Sequence, residues 1–313
     1  MADPQTVQAV LDDLRAESDG LDALVAGLGD AAWAAPTPAE GWTIAHQIAH
    51  LAWTDGQALL SVRDPDRFQR ELADAMAHLD ALVALDTYVD AGARAGAELP
   101  PAQLLERWRE GRARLRAALT EAPRGARFPW YGPPMSVGGV ASGRLMETWA
   151  HGEDIADTLG VRRAPTERLW QVARIAVRAR DYAFAAHGLA APADPFRVEL
   201  GAPDGSLWTF GPADAAQRIA GPALDFCLLA VQRRHRDAVA VRAQGRDAET
   251  WLSVAQAFAG PPGKGRAATG GGATDAGATD GGAADGGAAD AASGDGGATG
   301  GGAPGGDETG GGA

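Results

Sequence analysis

The stretch "RLMETWAHGEDIADTLG", residues 144–160, restricts the fold more than any other. Read as a helix, it spreads Leu145, Met146, Trp149, Ala150, Ile155, Ala156 and Leu159 around most of its circumference. A helix that apolar has to be covered on most sides, so it belongs among packed neighbours. The narrow remaining stripe holds Arg144, Glu147, His151, Asp154 and Thr158, because spacings of three and four return to one face. Such a stripe is either a solvated edge or a set of donors aimed at a metal. Spacing alone leaves both open.

The segments around it supply the covering elements. Val7, Val10, Leu11, Leu14, Leu21, Leu24, Val25 and Leu28 recur at helical spacing and predict a helix over 5–29. "APTPAEGW" breaks the chain with two prolines and a glycine, and Thr43 then suits the N-cap of a helix running through "IAHQIAHLAWTDGQALLSV". Further helices are expected over roughly 66–83, 86–96 and 101–121. "EAPRGARFPWYGPPMSVGG", residues 121–139, reads as a loop whose Phe128, Trp130 and Tyr131 enter the central helix as a pocket wall would. "PTERLWQVARIAVRARDYAFAAHG" predicts one more helix, with Pro165 and Thr166 at its start.

The texture changes after Gly188. "FRVELGAPDGSLWTFG" is two alternating strands around a turn, a hairpin signal. "DAAQRIAGPALDFCLLAVQRR" reads as helical, "AVAVRAQG" as a strand and "DAETWLSVAQAFAG" as a last helix. The expected fold class is α+β: a helical bundle over residues 1–190, a small α+β domain over 191–262, and a tail over 263–313. Beyond Arg266 the chain carries seven acids and no base in a Gly/Ala background, about half of the net charge of −13. With almost no apolar residue larger than alanine, that tail cannot offset the entropy of ordering, and it is expected to be disordered and solubilising.

Several function classes fall away. No apolar run reaches the roughly 18 residues that span a membrane. The N-terminus lacks the basic start and apolar stretch of a secretory signal. The single cysteine, Cys227, excludes an intramolecular disulfide and lies in the apolar "ALDFCLLAVQ", where a buried inert thiol is expected. The densest basic cluster, "VQRRHRD" at 231–237, is too short for a nucleic-acid footprint. A cytoplasmic protein without membrane or nucleic-acid partners follows.

The chain has six histidines. His46 and His50 sit four apart in "HQIAH", and His151 closes "ETWAH". The Glu147/His151 pair on one helix plus a histidine from a facing helix would supply three ligands, the way bundles commonly build metal sites. Two imidazoles and one carboxylate leave positions open for water or substrate, which suits catalysis rather than structure. Zn²⁺ is the default, and the same set accepts Fe²⁺ or Ni²⁺.

"GWTIAHQIAHLAW", followed about a hundred residues later by "METWAHGEDIADTLG" and closed by "WLSVAQAFAGPPG", resembles the metal-binding family of mycothiol-dependent maleylpyruvate isomerases, within the DinB-like helical bundles, and fits an uncharacterised branch of it. The resemblance implies an N-terminal DinB-like four-helix bundle and a small C-terminal α+β domain of sterol-carrier-like type. Carried over residue by residue, it implies His50, Glu147 and His151 as metal ligands and leaves His46 as a first-turn or supporting residue. It also implies an arginine assisting an anionic substrate, for which Arg233 and Arg234 are the nearest candidates. Asp154 is expected to orient His151 or pair with Arg144, and Trp130 and Tyr131 either to line the pocket or simply to pack the loop.

The implied activity uses a divalent metal, with mycothiol as the low-molecular-weight thiol and a small electrophile as substrate, in an isomerase or an S-transferase. The alternative is a metal-containing binding or regulatory module without turnover, or a structural bundle whose polar stripe is solvated. The residues name neither the electrophile nor the oligomeric state.

Overall fold

The computed structural model describes residues 6–77, 81–258, 260, 262, 263 and 265–267. The first helix, α1 (Val7–Val25), is capped by the Thr6 hydroxyl, which accepts the Ala9 N–H, and turns Val10, Leu11, Leu14, Leu21 and Val25 inward. A single turn, α2 (Asp30–Trp33), precedes α3 (Ile44–Arg63), which starts after Thr43 as its sequence predicts. Asp64 caps α4 (Pro65–Met76) through the Arg67 N–H. Then come α5 (Ala81–Ala97) and α6 (Pro101–Glu121).

The Pro/Gly-rich segment expected as a loop holds a short antiparallel pair, β1 (Arg127–Phe128) and β2 (Met135–Ser136). Ser136 then caps the central helix, α7 (Val137–Leu159), which Gly160 ends in the left-handed conformation at φ 65°. Packing against α1, α3 and α8 (Leu169–Arg178) covers α7 on several sides, as its apolar circumference requires.

Two expectations are corrected. The helix predicted across "PTERLWQVARIAVRARDYAFAAHG" breaks at Ala179 into α8 and α9 (Arg180–Ala186). Arg180 begins the second piece, donating to the Pro192 and Asp194 carbonyls and lying over the Phe196 ring. The segment "DAAQRIAGPALDFC…" was expected to be helical from its start. Instead β3 (Phe196–Gly201) and β4 (Leu207–Phe210) form the predicted hairpin, and β5 (Gln217–Pro222) runs parallel to β3 before α10 (Ala223–Ala230) begins. Ile219 is buried on the inner face, and Gly221 lets the Ala240 carbonyl approach where a Cβ would lie 2.9 Å from its oxygen. Pairing with β3 thus overrides the local helical pattern. After β6 (Arg242–Gln244) the chain closes with α11 (Arg246–Val254), and the sheet order is β4-β3-β5-β6.

One buried cluster joins Leu11, Leu145 and Trp149 of the helical part to Val198, Phe226 and Trp251 of the sheet part. A second groups Trp33, Ile48, Leu51 and Trp108 among the helices. No helix among the described residues is long and apolar enough to cross a membrane. The expectation for the acidic tail falls from residue 268 onward outside the described residues.

Helix α5 lies close on α3 because it offers glycine where they meet. A Cβ on Gly96 would sit 2.8 Å from the Ala49 methyl, and one on Gly92 would meet the Trp53 ring at 2.5 Å. Replacing Gly96 with Val is expected to push α5 off the helix that carries His50 and to lower stability by about 1–3 kcal/mol, measured by urea unfolding.

Candidate metal centre

Helices α3 and α7 bring His50, Glu147 and His151 to one point. His50 sits two turns into α3, after the start that Thr43 and His46 pin by their mutual contact. Glu147 and His151 are one turn apart on α7, near its middle. The His50 Nε2 lies 3.0 Å from Glu147 Oε2, and the two imidazole centroids are 4.4 Å apart. One ligand-capable atom from each residue falls within 4.8 Å of the other two. Donors about 2 Å from one tetrahedral ion stand roughly 3.3 Å from each other, so the group needs only small side-chain adjustments to hold one.

The charges suit that use. Arg144, 1% exposed, donates its Nε to Asp55 Oδ1 at 2.8 Å and one terminal nitrogen to Glu147 Oε2 at 2.9 Å. Burial alone would raise the Glu147 pKa, but the Arg144 guanidinium and the two imidazoles hold it far below the usual carboxylate range. Burial, reinforced by the neighbouring His50 and Arg233, keeps the His151 pKa well below its ordinary value. Burial also raises the Asp55 pKa, against the pull of Arg144. With both carboxylates ionised, Asp55, Arg144 and Glu147 sum to one negative charge beside the two imidazole rings, and a divalent cation reverses that sign. Donor type, spacing and charge all fit a divalent metal.

The other predicted residues divide. His46 accepts the Thr43 N–H at 3.3 Å through Nδ1 and so belongs to the start of α3. Trp130 and Tyr131 line the cavity beside the triad, backed by Phe68. Asp154 neither pairs with Arg144 nor touches His151. It lies seven residues past Glu147, about 10 Å along the axis, fully buried, where it accepts from Arg233 and Arg266. Arg233 still borders the cavity, but its charge is answered by Asp154, and Arg234 is held bidentately by Asp157.

Sequence reasoning missed Gln47. Fully buried, its side-chain oxygen meets His151 Nδ1. Its place one turn before His50 on the same face was the available signal. Trp42 was missed as well: its ring stacks on His151 at 6.0 Å and 19° and lies 5.5 Å from His50.

The triad opens onto a cavity of about 700 Å³. Its lining is largely apolar, with Met146, Ile175 and Phe258 beside the two loop aromatics, and Glu147 is the one carboxylate among the described lining residues. Four arginines border it: Arg127, Arg174, Arg178 and Arg233. Arg174 and Arg178, one turn apart on α8, have no carboxylate partner among the described residues, and Arg174 lies over the Trp170 ring. Cys227 is buried far from such use, and burial pushes its thiol pKa up.

Residues 14–156 match the family model described as mycothiol maleylpyruvate isomerase N-terminal domain, and residues 192–244 match one described as wyosine base formation. Uncharacterized proteins from two strains of Mycobacterium tuberculosis are each 53% identical over 266 residues, spanning 85% of this chain and 100% of theirs. The crystal structure of a mycothiol-dependent maleylpyruvate isomerase superposes with a TM-score of 0.50 at 16% identity, covering 73% of this chain and 90% of that one. A histidine-to-alanine mutant of that isomerase matches equally, at 17% identity. At these identities the structural likeness speaks for the fold.

Breaking the buried charge cluster has a defined cost. Arg144→Met leaves Asp55 buried without a counter-charge and is expected to destabilise the metal-free protein by about 3–5 kcal/mol in chemical denaturation. Adding Asp55→Leu is expected to restore part of that loss.

Proposed function

This chain belongs to the mycothiol maleylpyruvate isomerase-like family, and from that premise we propose that it is a divalent-metal enzyme that uses a low-molecular-weight thiol, mycothiol by family, on a small electrophile. The observation that carries the reading is the meeting of His50, Glu147 and His151 at the wall of a cavity large enough for both reactants. His50, Glu147 and His151 would hold the metal, with Zn²⁺ as the ordinary choice for this donor set. Bound there, a divalent cation supplies Lewis acidity, lowering the pKa of a coordinated thiol so that it reacts as thiolate near neutral pH.

The chain's own residues do the rest. Arg144 keeps Glu147 ionised, and burial keeps His151 neutral, so both side chains offer lone pairs without first losing a proton. Trp130 and Tyr131 pack on the apolar body of the reactants and exclude water. Arg174 and Arg178, rather than the neutralised Arg233 and Arg234, hold an anionic group of the electrophile. A thiolate so formed would add to an electrophilic carbon of the substrate. For an isomerase that carbon would belong to a conjugated double bond, with rotation about the resulting single bond before the thiolate is expelled. For a transferase the adduct, carrying the proton the thiol gave up, would be the product. No protein nucleophile is required, in keeping with the buried state of Cys227. The division of the chain near residues 190 and 262, and a sterol-carrier-like character for the second part, belong to this proposal.

His50→Ala is expected to lose both bound metal, by elemental analysis, and thiol-dependent turnover of unsaturated acids. Full metal occupancy in that variant would remove the ligand assignment. Chelator is expected to lower the melting temperature of the wild type, since metal at about 1,000 times its Kd contributes about 4 kcal/mol. An unchanged melt and no metal would favour a structural bundle, and metal retention without thiol consumption a binding module. Arg174→Leu is expected to raise KM for carboxylate-bearing electrophiles about tenfold with kcat nearly unchanged.

A further inference from the structure

We propose that Gln47 is a positioning residue for the metal centre, holding His151 in the tautomer that carries its proton on Nδ1 and leaves Nε2 as the ligating nitrogen. The inference rests on the metal reading above and adds to it which atom binds and what fixes that choice.

The Trp42 carbonyl oxygen can only accept, and it lies 3.0 Å from Thr37 Oγ1 and 2.7 Å from the Thr37 amide nitrogen. The Thr37 hydroxyl therefore spends its single proton on Trp42. Its oxygen, with lone pairs left, faces the Gln47 carboxamide at 2.8 Å and has to receive an N–H from it. With the Thr37 hydroxyl committed to Trp42, the nitrogen end of the carboxamide is the one that suits Thr37. The amide nitrogen points at Thr37, so the carbonyl oxygen points at His151 Nδ1. An oxygen there demands a proton on Nδ1, which leaves the lone pair on Nε2.

The relay closes on itself. The residue whose carbonyl begins the chain, Trp42, also stacks its indole on the His151 ring. Gln47 is 0% exposed, so water does not compete for either end of its amide. His50 has no such support: its Nε2 faces Glu147, while its Nδ1 is buried without a hydrogen-bond partner among the described residues. The centre thus has one imidazole oriented by a relay and one positioned by packing. Loss of the relay should be felt at His151 alone. Supporting groups of this kind typically change metal affinity 10–100-fold.

The test uses the full chain stripped of metal, with Zn²⁺ affinity measured by competition against a chromophoric chelator. Gln47→Leu is expected to bind Zn²⁺ about 10–100-fold more weakly. Gln47→Glu, whose carboxylate accepts the same proton, is expected to keep or exceed wild-type affinity. Thr37→Val, which frees the carboxamide to flip, is expected to fall between Gln47→Leu and the wild type. Long-range ¹H–¹⁵N spectra of metal-free wild type should show His151 Nδ1 protonated and Nε2 bare. Wild-type affinity in folded Gln47→Leu, or a proton on Nε2 of His151 in the wild type, would overturn the proposal. Should Gln47→Leu not fold, the Gln47→Glu affinity and the tautomer decide it. A wild type that binds no Zn²⁺ defeats the metal reading instead, and the tautomer still reports on Gln47.

Discussion

The buried guanidinium of Arg144 is the interaction on which the site depends. It reaches from the central helix to Asp55 on α3 while holding Glu147, so the two helices that carry His50, Glu147 and His151 are joined at the point where those side chains meet. A charge buried this deeply has to be paired, and its two carboxylates sit on different helices. The separation of α3 from α7 is therefore set by ionic geometry as well as by apolar packing. The same contact keeps a carboxylate ionised next to two imidazoles, which is the state in which that trio has electron pairs to offer.

Around that junction the cavity is arranged by contrast. One wall carries donors and a carboxylate. Another carries the aromatics of the loop between α6 and α7, and a third carries arginines from α8 whose charges meet no carboxylate among the described residues. An apolar cavity with a corner of two imidazoles and a carboxylate, and a positive wall on the other side, suits a small ligand with an acidic group. The arginines nearest the end of α10 are already committed to Asp154 and Asp157, and they tie the sheet part of the chain to α7. Their role is architectural, which the pattern "QRRHRD" does not disclose.

Much of the site was legible along the chain. Glu147 and His151 declare themselves by a four-residue spacing on a helix too apolar to be left uncovered, and the resemblance selects His50 over His46. What separates those two histidines physically is position within α3: His46 falls in the first turn, where its ring completes a cap, and His50 one turn deeper, facing α7. Gln47 was overlooked because a glutamine in a helix has no distinctive pattern. Its importance comes from Thr37 and Trp42, which approach it only after the proline-rich turn has folded back. Asp154 was misread for the opposite reason: it shares a stripe with Glu147, but a stripe says nothing about distance along the axis.

The sequence by itself determined most of the helices, the hairpin and the buried character of the lone cysteine, because periodicity, capping and burial tendency are local properties. Tertiary structure decided that Gln217–Pro222 is a strand, that Asp154 serves Arg233 rather than His151, and that the unpaired arginines lie on α8. Each of these depends on which group arrives from a distant part of the chain. Hydrogen bonds and ion pairs act over a few ångströms, and only the folded chain brings those partners within reach.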